Sequence, residues 1–152
     1  MKLIDAIPIH ARVGLDTAPL IYWLESDRVY QPILVELFNS RFNVGLNTAI
    51  TSVVSLAEVL VKPLSTGQTN LVTGHRTFLM TAKFLSLSAL TPAIAEKGAE
   101  LRARHGLRLP DAFQIAAALE DGASIFLTND VGHRRVTEIP IVVLRDFLPP
   151  NP

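Results

Sequence analysis

The chain has 152 residues, 49% of them hydrophobic, no cysteine, and a formal net charge of zero from 14 basic and 14 acidic residues. That length fits one domain, with 1–152 read as a single unit whose core runs from about 12 to 148. The lack of cysteine excludes disulfides, thiolate zinc sites and cysteine nucleophiles and fits a reducing cytoplasm, while zero net charge leaves any nucleic-acid binding to a local basic patch or a metal.

The opening Met1-Lys2-Leu3-Ile4-Asp5 has one positive charge and then an acid where a signal peptide would be apolar, so export is not expected. Val13-Gly14-Leu15 reads as a short buried strand, and Asp16-Thr17 as the turn that leads into a helix beginning near Pro19, with either Asp16 or Thr17 as cap. Within 31–42, Ile33, Leu34, Leu37 and Phe38 fall at helical spacing. Residues 49–52 read as a brief strand; Ser52 or Ser55 opens the apolar helix that follows, and Pro63 closes or kinks it. The Ser-, Thr- and Gly-rich stretch 64–70 reads as a loop, and 71–80 as a helix.

Leu85-Ser86-Leu87 is strand-like. Thr91-Pro92 is a cap followed by proline at the first helical position, and the helix it starts ends at His105-Gly106. Leu109-Pro110-Asp111 opens a helix over 112–119 that stops at Asp121-Gly122. Residues 125–127 and 141–144 are continuous apolar runs of the kind found in parallel strands covered on both faces. Every apolar run is soon broken by Ser, Thr, Pro or a charge, so none spans a bilayer. Short apolar strands alternating with helices predict a three-layer α/β/α sandwich with a mostly parallel central sheet, whose ligand crevice lies outside the carboxyl ends of the strands. The surplus of apolar residues also fits a subunit interface.

Asp16, Glu58, Asp111 and Asp130 each lie where an apolar strand or helix begins or ends. Singly each has an ordinary explanation: a helix cap for Asp16, the helix dipole for Asp111, a turn for Asp130, and a solvated helix face for Glu58, although Leu56, Ala57, Val59 and Leu60 leave it little polar face. Together they suggest a site for Mg²⁺ or Mn²⁺, the hard cations that tolerate several carboxylates at once. Catalysis by histidine pairs is disfavoured, because His10, His75, His105 and His133 are scattered and each reads as a surface or capping residue. Arg102, Arg104 and Arg108 ahead of Asp111, and His133, Arg134 and Arg135 after Asp130, are the basic residues placed to touch substrate phosphates.

Leu15-Asp16-Thr17, the run from Ser55 through Glu58 to Leu60, the run from Leu109 through Asp111 to Ala118, and Phe126-Leu127-Thr128-Asn129-Asp130 resemble the PIN-domain ribonucleases, especially the VapC-type toxins of toxin–antitoxin pairs. The resemblance extends from about Arg12 to Leu148. It implies a PIN-like sandwich, Asp16, Glu58, Asp111 and Asp130 as metal-binding acids, Thr128 as their hydroxyl support, an RNA substrate, a homodimer and a cognate antitoxin. Two features depart from the family pattern: Ala18 stands where many members carry Asn or Ser, and a lead over residues 1–11 precedes the first strand and packs against either the domain or a partner.

Other classes fit less well. An aspartyl-phosphate phosphatase needs a second aspartate where Ala18 stands, and a receiver domain needs a late lysine, whereas the last is Lys97. No glycine-rich loop follows a strand as a P-loop or dinucleotide fold requires. The surviving alternatives are a PIN-fold binding module without chemistry and an RNA-processing nuclease that is not a toxin.

Overall fold

The computed structural model describes residues 1–150; residues 151 and 152, the last of the unit expected from the sequence, lie outside the described residues. Among the described residues, five strands form one sheet in the order β3-β2-β1-β4-β5, and every pairing is parallel. They are β1 (Arg12–Leu15), β2 (Thr48–Ser52), β3 (Leu85–Ser88), β4 (Ile125–Thr128) and β5 (Ile141–Val143). The helices are α1 (Thr17–Leu24), α2 (Gln31–Leu37), α3 (Val53–Ser65), α4 (Thr69–Thr81), α5 (Pro92–His105) and α6 (Leu109–Glu120). The chain builds outward from β1 through β2 to β3, then returns to the other side of β1 for β4 and β5. That reversal puts the topological switch point, where crevices open in such sheets, between the carboxyl ends of β1 and β4.

Strand alternation divides the interior in two. Val13, Leu15, Ile125 and Leu127 join Leu20, Leu34, Leu37, Val59 and Leu79 on the face carrying α1 to α4. Phe126 points the other way, into Ile94, Leu101, Ala112, Ile115 and Ala116 of α5 and α6. The expected three-layer α/β/α sandwich follows, with all four residues of β4 buried, as its unbroken apolar run predicts. Gly14 lets α6 approach the sheet closely: a Cβ there would lie 2.7 Å from both the Ala118 methyl and the Phe126 ring, so any larger residue would push α6 away.

The lead packs against its own chain. A 3-10 turn, Leu3–Ala6, buries Leu3, and Ile7 joins the same apolar cluster as β1. Buried Asn47 fixes the lead's far end by donating to the Pro8 and Ala11 carbonyls, both at 2.8 Å.

Several boundaries differ from the sequence reading. Asp16 caps α1, which starts at Thr17, before Pro19, and Ser52 caps α3 by accepting from the Val54 amide. α3 runs two residues beyond Pro63, so 64–70 contains a helix end, a three-residue turn and the start of α4. Pro63 is buried, so core packing offsets the proline's disruption, and past it the Lys62 carbonyl accepts from the Ser65 and Thr66 hydroxyls at 2.9 Å each as the helix ends. The helix expected over 31–42 changes after Leu37 to a π-helical stretch, Phe38–Phe42, in which Phe38 stacks on Trp23 at 4.3 Å and Phe42 on Phe84 at 4.8 Å. β5 ends at Val143, and Leu144 begins a 3-10 turn. The termini of α5 are as expected: the Thr91 hydroxyl accepts from the Ile94 amide, and Gly106 takes the left-handed φ of +67°.

Candidate active site

Asp16 leaves β1 at the switch point and turns the chain into α1. Its Oδ1 accepts from the Thr17 amide at 2.8 Å and its Oδ2 from the Thr128 hydroxyl at 2.7 Å. Thr128, the last residue of β4, also accepts from the Asp130 amide at 3.0 Å, so one buried hydroxyl fixes both acids at this edge. Asp130 caps the 3-10 turn Val131–Arg135, with Oδ1 accepting from the Gly132 amide at 2.8 Å, and its side chain is largely exposed.

Glu58 reaches the same crevice from the second turn of α3, and Asp111 from the first turn of α6. Burial raises the Asp16 carboxyl above its ordinary value; its bonds to Thr128 and the Thr17 amide and the nearby His133 act against the rise, and Asp111 adds to it. Glu58 is raised by partial burial and by the charges of Asp16 and Asp111, against a hydrogen bond from the Thr17 side chain and the charge of Arg108. Arg108, exposed at the N-cap of α6, donates to Asp111 at 3.1 Å. Its guanidinium is raised by that bond and the Asp111 charge, with smaller contributions from Glu58 and Asp130. The acids therefore share one electrostatic neighbourhood. Among the described residues, however, no three His, Asp or Glu side chains already stand as a metal cage; each acid is held by local donors instead.

The oxygen donors fit a hard divalent cation. Asp16 and Glu58 both carry charge at a cost that a positive ion would offset, and Asp111 adds a third carboxylate to the same field.

The basic candidates separate. Arg108 faces the acids, whereas Arg134 pairs with Asp146 at 2.5 Å, Arg135 donates to the Gly132 carbonyl at 2.8 Å, Arg102 donates to the Leu107 carbonyl at 2.7 Å and Arg104 pairs with Glu138 at 2.5 Å. His133 is not a surface residue. It is 1% exposed, lies parallel to the Phe126 ring, and sits 3.7 Å from Asp16 Oδ2 through Nε2 and 3.6 Å from Asp130 Oδ2 through Nδ1. His75 is likewise buried, in α4, while His10 is exposed and His105 pairs with Glu138.

Behind the acids lies a polar network that the sequence reading did not identify: Thr17, Thr51, Ser52, Ser55 and Gln114, all buried. One signal for it was available. Gln114 interrupts the apolar run of α6 one turn after Asp111, on the same helix face.

Residues 13–139 match the PIN domain family. No curated protein sequence matches the chain. Among solved structures, the fold is similar to VapBC2 from Rickettsia felis bound to a DNA fragment from their promoter, with 17% identity over 87% of this chain and 98% of that one and a TM-score of 0.65. It is also similar to a toxin–antitoxin complex from Klebsiella pneumoniae, with 22% identity, coverage of 88% and 96% and a TM-score of 0.61. Mycobacterium tuberculosis VapC20, a sarcin-ricin loop cleaving toxin, matches with 13% identity, coverage of 75% and 86% and a TM-score of 0.60.

Proposed function

The chain belongs to the PIN domain family, and from that premise we propose that it is a Mg²⁺- or Mn²⁺-dependent endoribonuclease, acting as one unit and serving as the toxin of a toxin–antitoxin pair in the cytoplasm. The observation that carries the reading is the pair of raised carboxyls, Asp16 and Glu58, held beside Asp111 at the switch point of a parallel sheet. Metal-binding roles go to Asp16, Glu58, Asp111 and Asp130, with Thr128 fixing the first and last. When bound, the ion supplies a lowered water pKa and a counter-charge for the phosphodiester.

The chain's own residues do the remaining work. Asp16 holds one orientation because both its oxygens are already bonded, to Thr17 and Thr128. Exposed Arg108 pairs at the crevice with the largely buried Asp111 carboxylate, so a phosphate that draws the guanidinium away also frees Asp111. His133 fills the floor between Asp16 and Asp130 and keeps bulk water from beneath them. Hydrolysis by water leaves a 5′-phosphate and a 3′-hydroxyl, unlike the cyclic products of 2′-hydroxyl attack. Arg108 and His133 are the basic residues nearest the acids; Arg134 and Arg135 are each already bonded elsewhere.

An antitoxin partner is supported by the fold shared with the Rickettsia felis and Klebsiella pneumoniae toxin–antitoxin assemblies. A homodimer is supported by exposed apolar side chains such as Val61, Leu64 and Met80. Among the described residues, no helix is long and apolar enough to cross a membrane.

The test is incubation of purified protein with a mixed pool of structured RNAs in Mn²⁺ or EDTA, beside Asp111→Asn, with both fragment ends mapped. Mn²⁺-dependent cuts bearing 5′-phosphates and absent from the variant are expected. Cleavage that persists in EDTA and in the variant would point to other chemistry; Mn²⁺ binding without cleavage of any RNA would leave a binding module.

A further inference from the structure

Arg145 stands just after β5 at the carboxyl edge of the sheet, with its side chain exposed. Among the described residues it has no carboxylate partner, since both oxygens of the neighbouring Asp146 already accept from Arg134. One of its five N–H donors is in use: Nη2 donates to the Asn129 carbonyl at 3.4 Å, a long and therefore weak bond. The rest of the guanidinium is free for a ligand.

One peptide plane fixes where that head lies. The carbonyl it meets belongs to the Asn129–Asp130 peptide, whose N–H donates to the Thr128 hydroxyl at 3.0 Å, and Thr128 in turn donates to Asp16. The C=O and N–H of a trans peptide point opposite ways, so Arg145 and Thr128 flank the backbone leading into Asp130 from opposite sides. Peptide dimensions then put the guanidinium nitrogen within about 6 Å of the Asp130 Cα. On the other side of the crevice α6, which packs on β1 and β2, carries Arg108 at its N-cap. The acids that follow β1 and β4 therefore lie between two exposed cations.

The base of Arg145 is held more firmly than its head. Its backbone amide donates to Asn129 Oδ1 at 3.0 Å; a backbone N–H can only donate, so the atom it meets is the side-chain oxygen, and Nδ2 faces the Tyr22 hydroxyl at 3.0 Å. Asn129 is buried, and the Tyr22 ring stacks on Tyr30 at 4.4 Å. A buried amide backed by α1 thus sets where the long side chain leaves the main chain, while its charged end stays loose.

We propose that Arg145 is a substrate-binding residue: it takes a backbone phosphate of the RNA on the far side of the acids from Arg108, so that the strand crosses the carboxyl edge from α6 toward β5 with the scissile bond between the two arginines. The inference rests on the reading of the crevice as an RNA-cleaving site. Arg108 must leave Asp111 to bind a phosphate, whereas Arg145 gives up only one weak bond to a carbonyl and can meet the phosphate with two parallel N–H groups.

Arg145→Gln removes the charge but keeps the backbone N–H that donates to Asn129. With a labelled single-stranded RNA, in the Asp16→Asn background so that the strand survives, it should lower the slope of log affinity against log salt by about 0.7, one phosphate contact, and by about 1.4 together with Arg108→Gln. Arg145→Lys should keep the slope. With Asp16 intact, Arg145→Gln should raise KM about threefold and leave kcat unchanged, as for a lost exposed ion pair that serves binding alone. Trimming the RNA toward the cut from one end should abolish that KM effect, and trimming from the other end should abolish the effect of Arg108→Gln. An unmoved slope in folded Arg145→Gln, or loss of both KM effects on trimming the same end, would overturn the inference. RNA that binds with the Arg145-dependent slope but is never cut would overturn the nuclease reading and uphold the anchor. Mn²⁺-dependent cleavage indifferent to Arg145 would do the reverse, and a protein that binds no RNA would overturn both.

Discussion

Glu138 and the pair Asp16 and Glu58 are carboxylates in opposite states. Burial opposes the charge of Glu138, but the His105 ring at 2.8 Å and Arg104 at 2.5 Å outweigh it and hold the carboxyl down at about 2. Both donors stand in the last turn of α5, where the helix dipole favours cations. At the switch point the balance is reversed. Asp16 and Glu58 are raised because burial and neighbouring acids exceed what Thr128, Thr17 and Arg108 return. A carboxylate whose donors outweigh its burial ties two elements together. A group of acids whose charge is under-compensated suits a cation, as the proposed metal role requires.

The largest expected effect comes from removing a charge at the switch point. Asp16→Asn should lower RNA cleavage by at least about 100-fold, since it removes both a ligand and the electrostatic focus of the site. The same change should raise the Tm of the metal-free protein near neutral pH. The folded-state carboxyl lies above its ordinary value of 3.8, so the charge costs nothing below that value. The cost grows as pH rises toward the raised folded value and is full above it. Wild type and variant should therefore converge at about pH 3. A variant that melts lower at neutral pH would make Asp16 chiefly a helix cap and would dissolve the contrast with Glu138.

Adding Mn²⁺ sharpens the same comparison. At about 100 times its Kd, a ligand confined to the folded state adds about 2.7 kcal/mol, or roughly 5–10 °C of Tm in a protein of this size. The wild type should show this gain and Glu58→Gln much less of it, while Glu138→Gln should retain it in full. Equal gains in all three proteins would place the ion away from the switch point.

The fold was legible because its strands are short continuous apolar runs and its helices begin at Asp16, Ser52 and Thr91, local signals that need no tertiary knowledge. The passage of α3 through Pro63 was not, because burial of that ring in the core decides it. The acids themselves could be picked out from their places beside apolar elements. The polar network behind them could not: Gln114 draws its partners from β2, α1 and α3, which stand far away in the chain and meet only after folding. His133 read as a surface or capping residue because no partner spacing marked it, yet the three-residue period of a 3-10 turn puts His133 and Val136 inside and leaves Arg134 and Arg135 outside.

A smaller effect is expected at the satisfied carboxylate. Glu138→Gln should cost about 1 kcal/mol near neutral pH, the upper end for a pair with one exposed partner, Arg104. Because the folded-state carboxyl is depressed, its stabilisation is present above the ordinary value of 4.5 and is lost as pH falls toward about 2. Urea melts at stepped pH values should therefore show the gap between variant and wild type closing over that window. A constant gap would mean that shape, not charge, secures the end of α5.

The smallest effect distinguishes cations that share a charge but not a neighbourhood. Arg108 is exposed, and its partner Asp111 belongs to the under-compensated group, so a phosphate competes for it on favourable terms. Arg134 already has Asp146 on both carboxylate oxygens and gains little by leaving it. In an RNA-binding assay with metal present, Arg108→Gln should therefore lower the slope of log affinity against log salt by about 0.7, the single-strand value for one phosphate contact. Arg134→Gln should leave it unchanged. Equal changes for both would mean that RNA is drawn by a diffuse basic surface, and the under-compensated acids would then set where cleavage occurs without setting how the strand is held.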